Sequence, residues 1–400
     1  MSRLGSLLTA ALASTAVAGD KPAPAWTDGM QAAADGANHF GYELFAQLRG
    51  TPGSRFVSPY SVHAAFALLA GGAKGTTRDE LVKVLHLPGD SAAAGDLGRF
   101  YAGGGKPYEL SVANALWGQT GYPWDDKFLA RAKERFGAGL EPVDFRADPD
   151  GARQQVNKWV AEKTKERIKD LLPAGSVTPR SRLVLANAVY FKGDWADPFK
   201  PADTKTDFFT KANGSKASVP LMTRTGRYRY ATAGGVQVLE LPYKGGDLAM
   251  DVILPPDTAG LGAVEEKTVA GAVGWLAKSA EPRRVQVFLP KFKVEDQVSL
   301  PPVLKAMGLK EVFAPDTADL TGLVSQTPED NLSVSDAFHK TFVEVNETGT
   351  EAAAATGVVV ATRSVEADPV VFRADRPFLF LIRDVQHGTV LFVGRYAGPN

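Results

Sequence analysis

Residues Thr341–Thr362 read TFVEVNETGTEAAAATGVVVAT. A strand-like run, Thr341–Asn346, meets Glu347-Thr348-Gly349-Thr350, followed by the alanine block Ala352–Ala355, then Thr356-Gly357 and the β-branched run Val358-Val359-Val360. The alanines alone favour helix. At period two, however, Thr350, Ala352, Ala354, Thr356 and Val358 share one face. That face carries only small or β-branched uncharged side chains, so it can slide between the strands of a sheet without burying anything large or ionised. Composition by itself favours an alanine-rich surface loop over an inserting strand.

The flanking chain supplies sheets. RLVLANAVYF (182–191), VQVLELPY (236–243), LAMDVILP (248–255) and VQVFLPKFKV (285–294) are apolar or alternating, β-branched or aromatic, and bounded by Gly, Pro or Asp. Tyr108–Trp117 alternates like a strand, and Phe378–Ile382 with Val390–Tyr396 flank a turn at Gln386-His387-Gly388. Helical spacing runs over Gln31–Leu48, with Phe40, Leu44 and Leu48 on one stripe, and over Asp126–Phe136, Gly151–Leu172, Leu261–Lys278 and Ser299–Met307. Ser58-Pro59 opens another helix as N-cap and first turn, and its body, Ser61–Ala70, is too apolar for a surface. Thr77-x-x-Glu80 resembles a capping box. Helices first, then strands mixed with helices, give an α+β class.

The chain has 400 residues, 45 Lys+Arg against 45 Asp+Glu, and no cysteine. Disulfides, thiolate metal sites and a cysteine nucleophile are excluded, and the zero net charge argues against nucleic acid or an anionic membrane as a bulk electrostatic partner. The start, MSRLGSLLTAALASTAVAGD, has Arg3, an apolar stretch from Leu4 to Ala18 and an A-x-A close at Ala16-Val17-Ala18. It reads as a secretory signal peptide, residues 1–18, followed by an exposed lead-in, 19–35, and a single domain, 36–400. The destination is secreted, extracellular or periplasmic. No two of His39, His63, His86, His339 and His387 have metal-site helical spacing, and no GxSxG, GxxxxGK[ST] or GxGxxG occurs. The reading is a non-enzyme without a cofactor.

Four motifs settle the choice left open by the alanine block. These are His339-Lys340 through Thr356, Asn187-Ala188-Val189-Tyr190-Phe191-Lys192-Gly193-Asp194-Trp195, Ser58-Pro59-Tyr60-Ser61, and Asp375-Arg376-Pro377-Phe378-Leu379-Phe380. In order and spacing they resemble the inhibitory serpins, the serine protease inhibitors. The resemblance implies a serpin fold of three β-sheets and about nine helices, with an exposed reactive-centre loop at about 347–368. It also implies a suicide mechanism, in which a protease cleaves the loop, forms an acyl-enzyme, and is trapped as the loop enters the large sheet as a new strand.

Carried over residue by residue, the resemblance places the reactive bond at Arg363–Ser364. Arg363 implies a trypsin-like serine protease, whose pocket carboxylate pairs a guanidinium. The hinge is Glu347, Gly349, Thr350, Ala352, Ala354 and Thr356. A hydrogen-bonded shutter comprises Ser58, Ser61, Asn187 and His339, and a breach at the sheet's opening comprises Trp195, Lys291 and Glu347. Departures from the family pattern are Ser54, Thr341 and Thr348. The helix after Leu81–Leu87 lacks clustered Lys/Arg, which argues against a strong heparin site, and the expected state is a monomer. The alternatives are a non-inhibitory serpin acting as a carrier or chaperone-like protein, and cross-class inhibition of a cysteine protease. From Gly349 to Arg363 are fourteen residue steps, roughly 46 Å as a strand, enough to cross a small domain.

Overall fold

A computed structural model describes residues 24–89, 91–103, 105–269, 279–328, 330–350 and 368–399. The segment expected to be a signal peptide, residues 1–18, therefore lies outside the described residues. In chain order the elements are α1 (Asp28–Leu48), β1 (Arg55–Val57), α2 (Pro59–Ala70), α3 (Gly75–Val84), α4 (Ala92–Ala102), β2 (Tyr108–Gln119), α5 (Asp126–Phe136), β3 (Leu140–Val143) and α6 (Pro149–Lys163). Then come β4 (Leu183–Asp194), β5 (Lys205–Thr210), β6 (Lys216–Ala233), β7 (Val236–Pro242), β8 (Leu248–Leu254), α7 (Leu261–Val269), β9 (Glu281–Pro290) and β10 (Phe292–Ser299). The chain closes with α8 (Leu300–Ala306), β11 (Asp336–Val345), β12 (Gly349–Thr350), β13 (Val370–Arg373), β14 (Phe378–Asp384) and β15 (Val390–Tyr396).

Two hydrogen-bonded networks organise these strands. The first runs β10-β11-β12-β4-β2-β3; the second runs β1-β15-β14-β8-β7-β6-β9-β13, with β5 also on β6. Within the second, β6 pairs with β5 and β9 over much of its length and with β7 at its far end. The resemblance implies three sheets; the described strands form two hydrogen-bonded networks because the long β6 is shared between neighbours at its two ends. Eight α-helices are present among the described residues.

The six-stranded sheet is covered on both faces. On one side α2 is buried along its whole length and contributes to the main core. On the other side Val156, Val160, Ile168 and Leu171 pack on a separate apolar cluster, where Trp117 meets Trp159 edge-on at 5.6 Å. Strands buried on both faces read as continuous apolar runs, which explains LVLANAVYF in β4.

Three local expectations are corrected. The lead-in expected to be exposed as far as residue 35 is helix from Asp28, with Met30, Ala33 and Ala34 buried. Trp26 stacks on His387 at 3.7 Å. Thr77 and Glu80 do not form a capping box, because α3 starts at Gly75 after Lys74. Instead the Thr77 hydroxyl accepts from the Asp319 N–H, and the Glu80 carboxylate accepts from the N–H groups of Lys310 and Glu311.

The helix expected over 151–172 ends at Lys163. Thr164 Oγ1 donates to Val160 O at 2.8 Å and accepts from Ile168 N at 3.2 Å, a side-chain alternative to the helical ladder. Asn157 then holds both backbone groups of Leu172, at 2.7 and 3.0 Å. The apolar residues beyond Thr164 reach the same cluster through an irregular segment.

Candidate functional site: a sheet parted at one end

β4 and β11 run parallel and pair directly from Asp336–Val184 through to Phe342–Tyr190. Above that point they separate, and β12 lies between them, antiparallel to both, with Thr350 opposite Val345 on one side and Gly193 on the other. The backbone approach is close: a Cβ on Gly349 would stand 2.1 Å from the Gly193 carbonyl oxygen. Only glycine fits there without displacing β4.

Ser58, Ser61, Asn187 and His339, grouped from the sequence, do meet, beneath the closed part of the sheet, and all are fully buried. His339 Nε2 accepts from the Ser58 N–H at 3.0 Å, and His339 Nδ1 donates to the Asn187 side-chain oxygen. One ring nitrogen accepts and the other donates, so the imidazole is neutral. Burial agrees, pulling the His339 pKa down to about 3.

Asn187 Nδ2 donates to Ser61 Oγ at 2.7 Å and Ser61 O at 3.1 Å. Ser58 Oγ donates to Leu391 O at 2.7 Å and caps α2 by accepting from Ser61 N at 3.3 Å. Four residues thus tie β4, β11, α2 and β15 together. Sequence reading missed a fifth: Asn114 stands directly opposite Asn187 on β2 and accepts from its amide. An amide in the apolar half of the strand, VANALW (112–117), was the available signal.

The second group also assembles, at the parted end. Lys291 Nζ lies 2.8 Å from Glu347 Oε2, and Thr204 Oγ1 donates to Glu347 Oε1 at 2.9 Å. Burial opposes ionisation of Glu347, but Lys291 and Thr204 outweigh it and hold the carboxyl below the usual carboxylate range. Trp195 Nε1 donates to Asn346 O at 3.0 Å, and its backbone N–H to Thr348 O at 2.9 Å.

Tyr243 was not foreseen. Its ring stacks on Trp195 at 4.7 Å with planes 13° apart, and its hydroxyl shares a 2.7 Å hydrogen bond with Thr350 Oγ1. Thr350 is fully buried. Nothing near Tyr243 in sequence signals this contact, because its partners lie 48 and 107 positions away.

The departures from the family pattern find partners of their own. Ser54 Oγ accepts from Ala397 N at 3.1 Å, the buried Thr341 hydroxyl donates to Phe56 O at 2.5 Å, and Thr348 Oγ1 donates to Asn346 Oδ1 at 2.8 Å. Ala352, Ala354, Thr356, Arg363 and Ser364 lie outside the described residues.

This arrangement has counterparts among known proteins. The family model "Serpin (serine protease inhibitor)" matches residues 35–399. Mouse antithrombin-III is 39% identical over 90% of this chain and 79% of its own length. The leukocyte elastase inhibitor of Xenopus tropicalis is 35% identical over 92% of this chain and all of its own. The crystal structure of Serpin48 from Tenebrio molitor superposes with a TM-score of 0.84 at 31% identity, covering 94% of this chain and 100% of that one. The chain belongs to the serpin family of serine protease inhibitors.

Proposed function

We propose that this chain is a secreted suicide inhibitor of trypsin-like serine proteases, cleaved at Arg363–Ser364. The observation that carries the reading is β12, since Gly349-Thr350 already occupies the first register between β4 and β11. The protease serine hydroxyl attacks the Arg363 carbonyl, its proton passes through the enzyme's base to the leaving amine, and the peptide bond to Ser364 breaks. The Arg363 acyl group is then an ester on the protease.

With its downstream tether cut, the loop extends β12 down the seam and takes the place of the direct β4–β11 ladder. Alternation from Thr350 sends Ala352, Ala354 and Thr356 to the buried face, where their size and lack of charge suit them. Each added ladder hydrogen bond contributes on the order of 1 kcal/mol, so about a dozen rival a whole folding stability. The shutter residues must exchange partners as the seam opens. The breach residues hold the entry register.

Mixing the purified chain with trypsin tests this. An SDS-resistant complex together with a form cleaved after Arg363, read by mass analysis, is the expected result. Cleavage without complex would leave a carrier-like, non-inhibitory serpin.

A further inference from the structure

The tripeptide Asn-x-Ser/Thr, with x other than proline, occurs three times, as Asn213-Gly214-Ser215, Asn331-Leu332-Ser333 and Asn346-Glu347-Thr348. It is the acceptor pattern for N-linked glycosylation. A glycan is bulky and hydrated, so it is tolerated only where the fold leaves its asparagine in solvent. Asn331 is committed to the fold. Its side-chain nitrogen donates to Pro315 O at 3.0 Å and Ala318 O at 2.9 Å, which uses both amide hydrogens, and Ser333 is buried. Asn346 belongs to the parted end of the sheet. Its Oδ1 accepts from Thr348 Oγ1 and from the N–H groups of Thr348 and Gly349, and its backbone oxygen accepts from Trp195. A glycan there would stand in the mouth through which the loop is proposed to enter.

Asn213 differs from both. It lies at the tip of the hairpin joining β5 to β6, which the Gly214 N–H closes onto Lys211 O at 2.9 Å and the Lys211 N–H onto Ser215 O at 2.8 Å. Ala212 through Lys216 are all exposed. Asn213 Oδ1 accepts from the Ser215 N–H at 3.0 Å and from its hydroxyl at 2.7 Å, an Asx turn. The side-chain nitrogen, the atom that would carry the sugar, has no hydrogen-bond partner among the described residues. The same hairpin carries Phe208, which is 58% exposed, more than any other large apolar side chain among the described residues. Its neighbour Phe209 is fully buried. From Phe208 to Asn213 are five residue steps, at most about 18 Å of chain.

We infer that Asn213 is the N-glycosylation acceptor of this chain and that its glycan covers the exposed ring of Phe208. The inference rests on the secretory destination proposed above. The donor is an oligosaccharide carried on a lipid diphosphate, and an oligosaccharyl transferase supplies the base. Asn213 Nδ2 bonds to C1 of the first sugar and gives up one amide proton to that base. The C1–O bond to the diphosphate breaks, and its electron pair leaves with the lipid diphosphate. The apolar C–H face of the sugar then takes Phe208 out of water. None of the hydrogen bonds described for the shutter or the breach involves Asn213, so inhibition does not depend on the modification.

The test is secretion of the full chain from an N-glycosylating eukaryotic host, then peptide-N-glycosidase in heavy-oxygen water and peptide mass mapping. One labelled aspartate, at position 213, is the expected result. Asn213→Gln is expected to remove the glycan mass while the rate of trypsin complex formation stays within about twofold of wild type. Enzymatic removal of the glycan from the folded chain is expected to raise apolar dye binding about twofold, and Phe208→Ser to abolish that rise. No rise would overturn the cover over Phe208. Secreted chain without a glycan, or labelled at position 331 or 346 instead of 213, overturns the site. So does aspartate at position 213 free of label, the product of spontaneous Asn-Gly deamidation. Chain retained inside the cells overturns the secretory reading and this inference with it, whereas a glycosylated chain that forms no trypsin complex overturns the inhibitor reading alone.

Discussion

β4 and β11 meet in two ways along one seam. Over Asp336–Phe342 they pair directly, and a fully buried network from His339, Asn187, Ser58 and Ser61 locks them to the helix beneath. A few residues higher they are parted by β12, and the contacts there are an ion pair exposed on its lysine side, an aromatic stack, one hydroxyl pair and the hydrogen bonds of Trp195 and Thr204. A buried polar network is strong when complete and costly when broken. A half-exposed ion pair is worth little. On the proposed mechanism the seam yields from the top, and the buried network below sets the resistance.

The sharpest way to break that comparison is to block the top. Thr350→Arg would place a cation where Tyr243 and the core leave no partner. The expected outcome is complete loss of SDS-stable complex with loop cleavage retained. Wild-type stoichiometry in that variant would sink the insertion argument.

Below the parting, His339→Ala removes a donor and an acceptor at once and orphans the Ser58 N–H and the Asn187 oxygen. A loss of about 3 kcal/mol is expected in denaturant unfolding. An effect under about 1 kcal/mol would mean that the lower seam is no tighter than the upper.

Acid probes the same group. Burial places His339 at about 3 and His63 at about 4, both below the ordinary 6.5. The unfolded chain therefore takes up these protons first. The stabilisation is complete above about pH 6.5 and drains away as pH falls toward the folded values. Asp336 works in the opposite sense, since burial raises its pKa to about 6 and its contribution fades as pH rises. Comparing wild type with His339→Gln isolates the shutter histidine: the stability gap between them should narrow by about 2 kcal/mol from pH 7 to pH 5.

The smallest effect belongs to the breach. Lys291→Met severs a pair whose lysine side chain is 39% exposed, and a change of no more than about 1 kcal/mol is expected, fading in salt. A larger loss would move the lock from the shutter to the top of the seam.

Legibility followed the range of the interaction. Ser58 as N-cap and Pro59 in the first turn were readable because cap and capped N–H lie three residues apart. Period two in TFVEV and the apolar run of β4 were readable because pleat and burial write themselves locally. Thr77 and Glu80 misled because the groups they satisfy arrive from residues 310–319. The early end of α6 was hidden because Thr164 and Asn157 hold the following segment through side-chain bonds that periodicity does not register. Asn114 and Tyr243 show in the sequence only as an amide in the apolar half of a strand and an aromatic at a strand end. Their chemistry lies in partners 73 or more positions away for Asn114, and 48 and 107 for Tyr243.

Charge shows the same division. The 45 basic and 45 acidic residues cancel in the sequence, yet the register of β6 on β9 sets Arg227 opposite Arg284 on one exposed face. By itself the sequence determined the small uncharged face after Gly349, which depends on residue type and period alone, and it carried the motifs whose resemblance to a family grouped Ser58, Ser61, Asn187 and His339. Only the tertiary structure decided how far the hinge enters the sheet, which residues receive it, and where the arginines gather. Those depend on strand register, which pairs residues a hundred positions apart and is set by packing the whole chain at once.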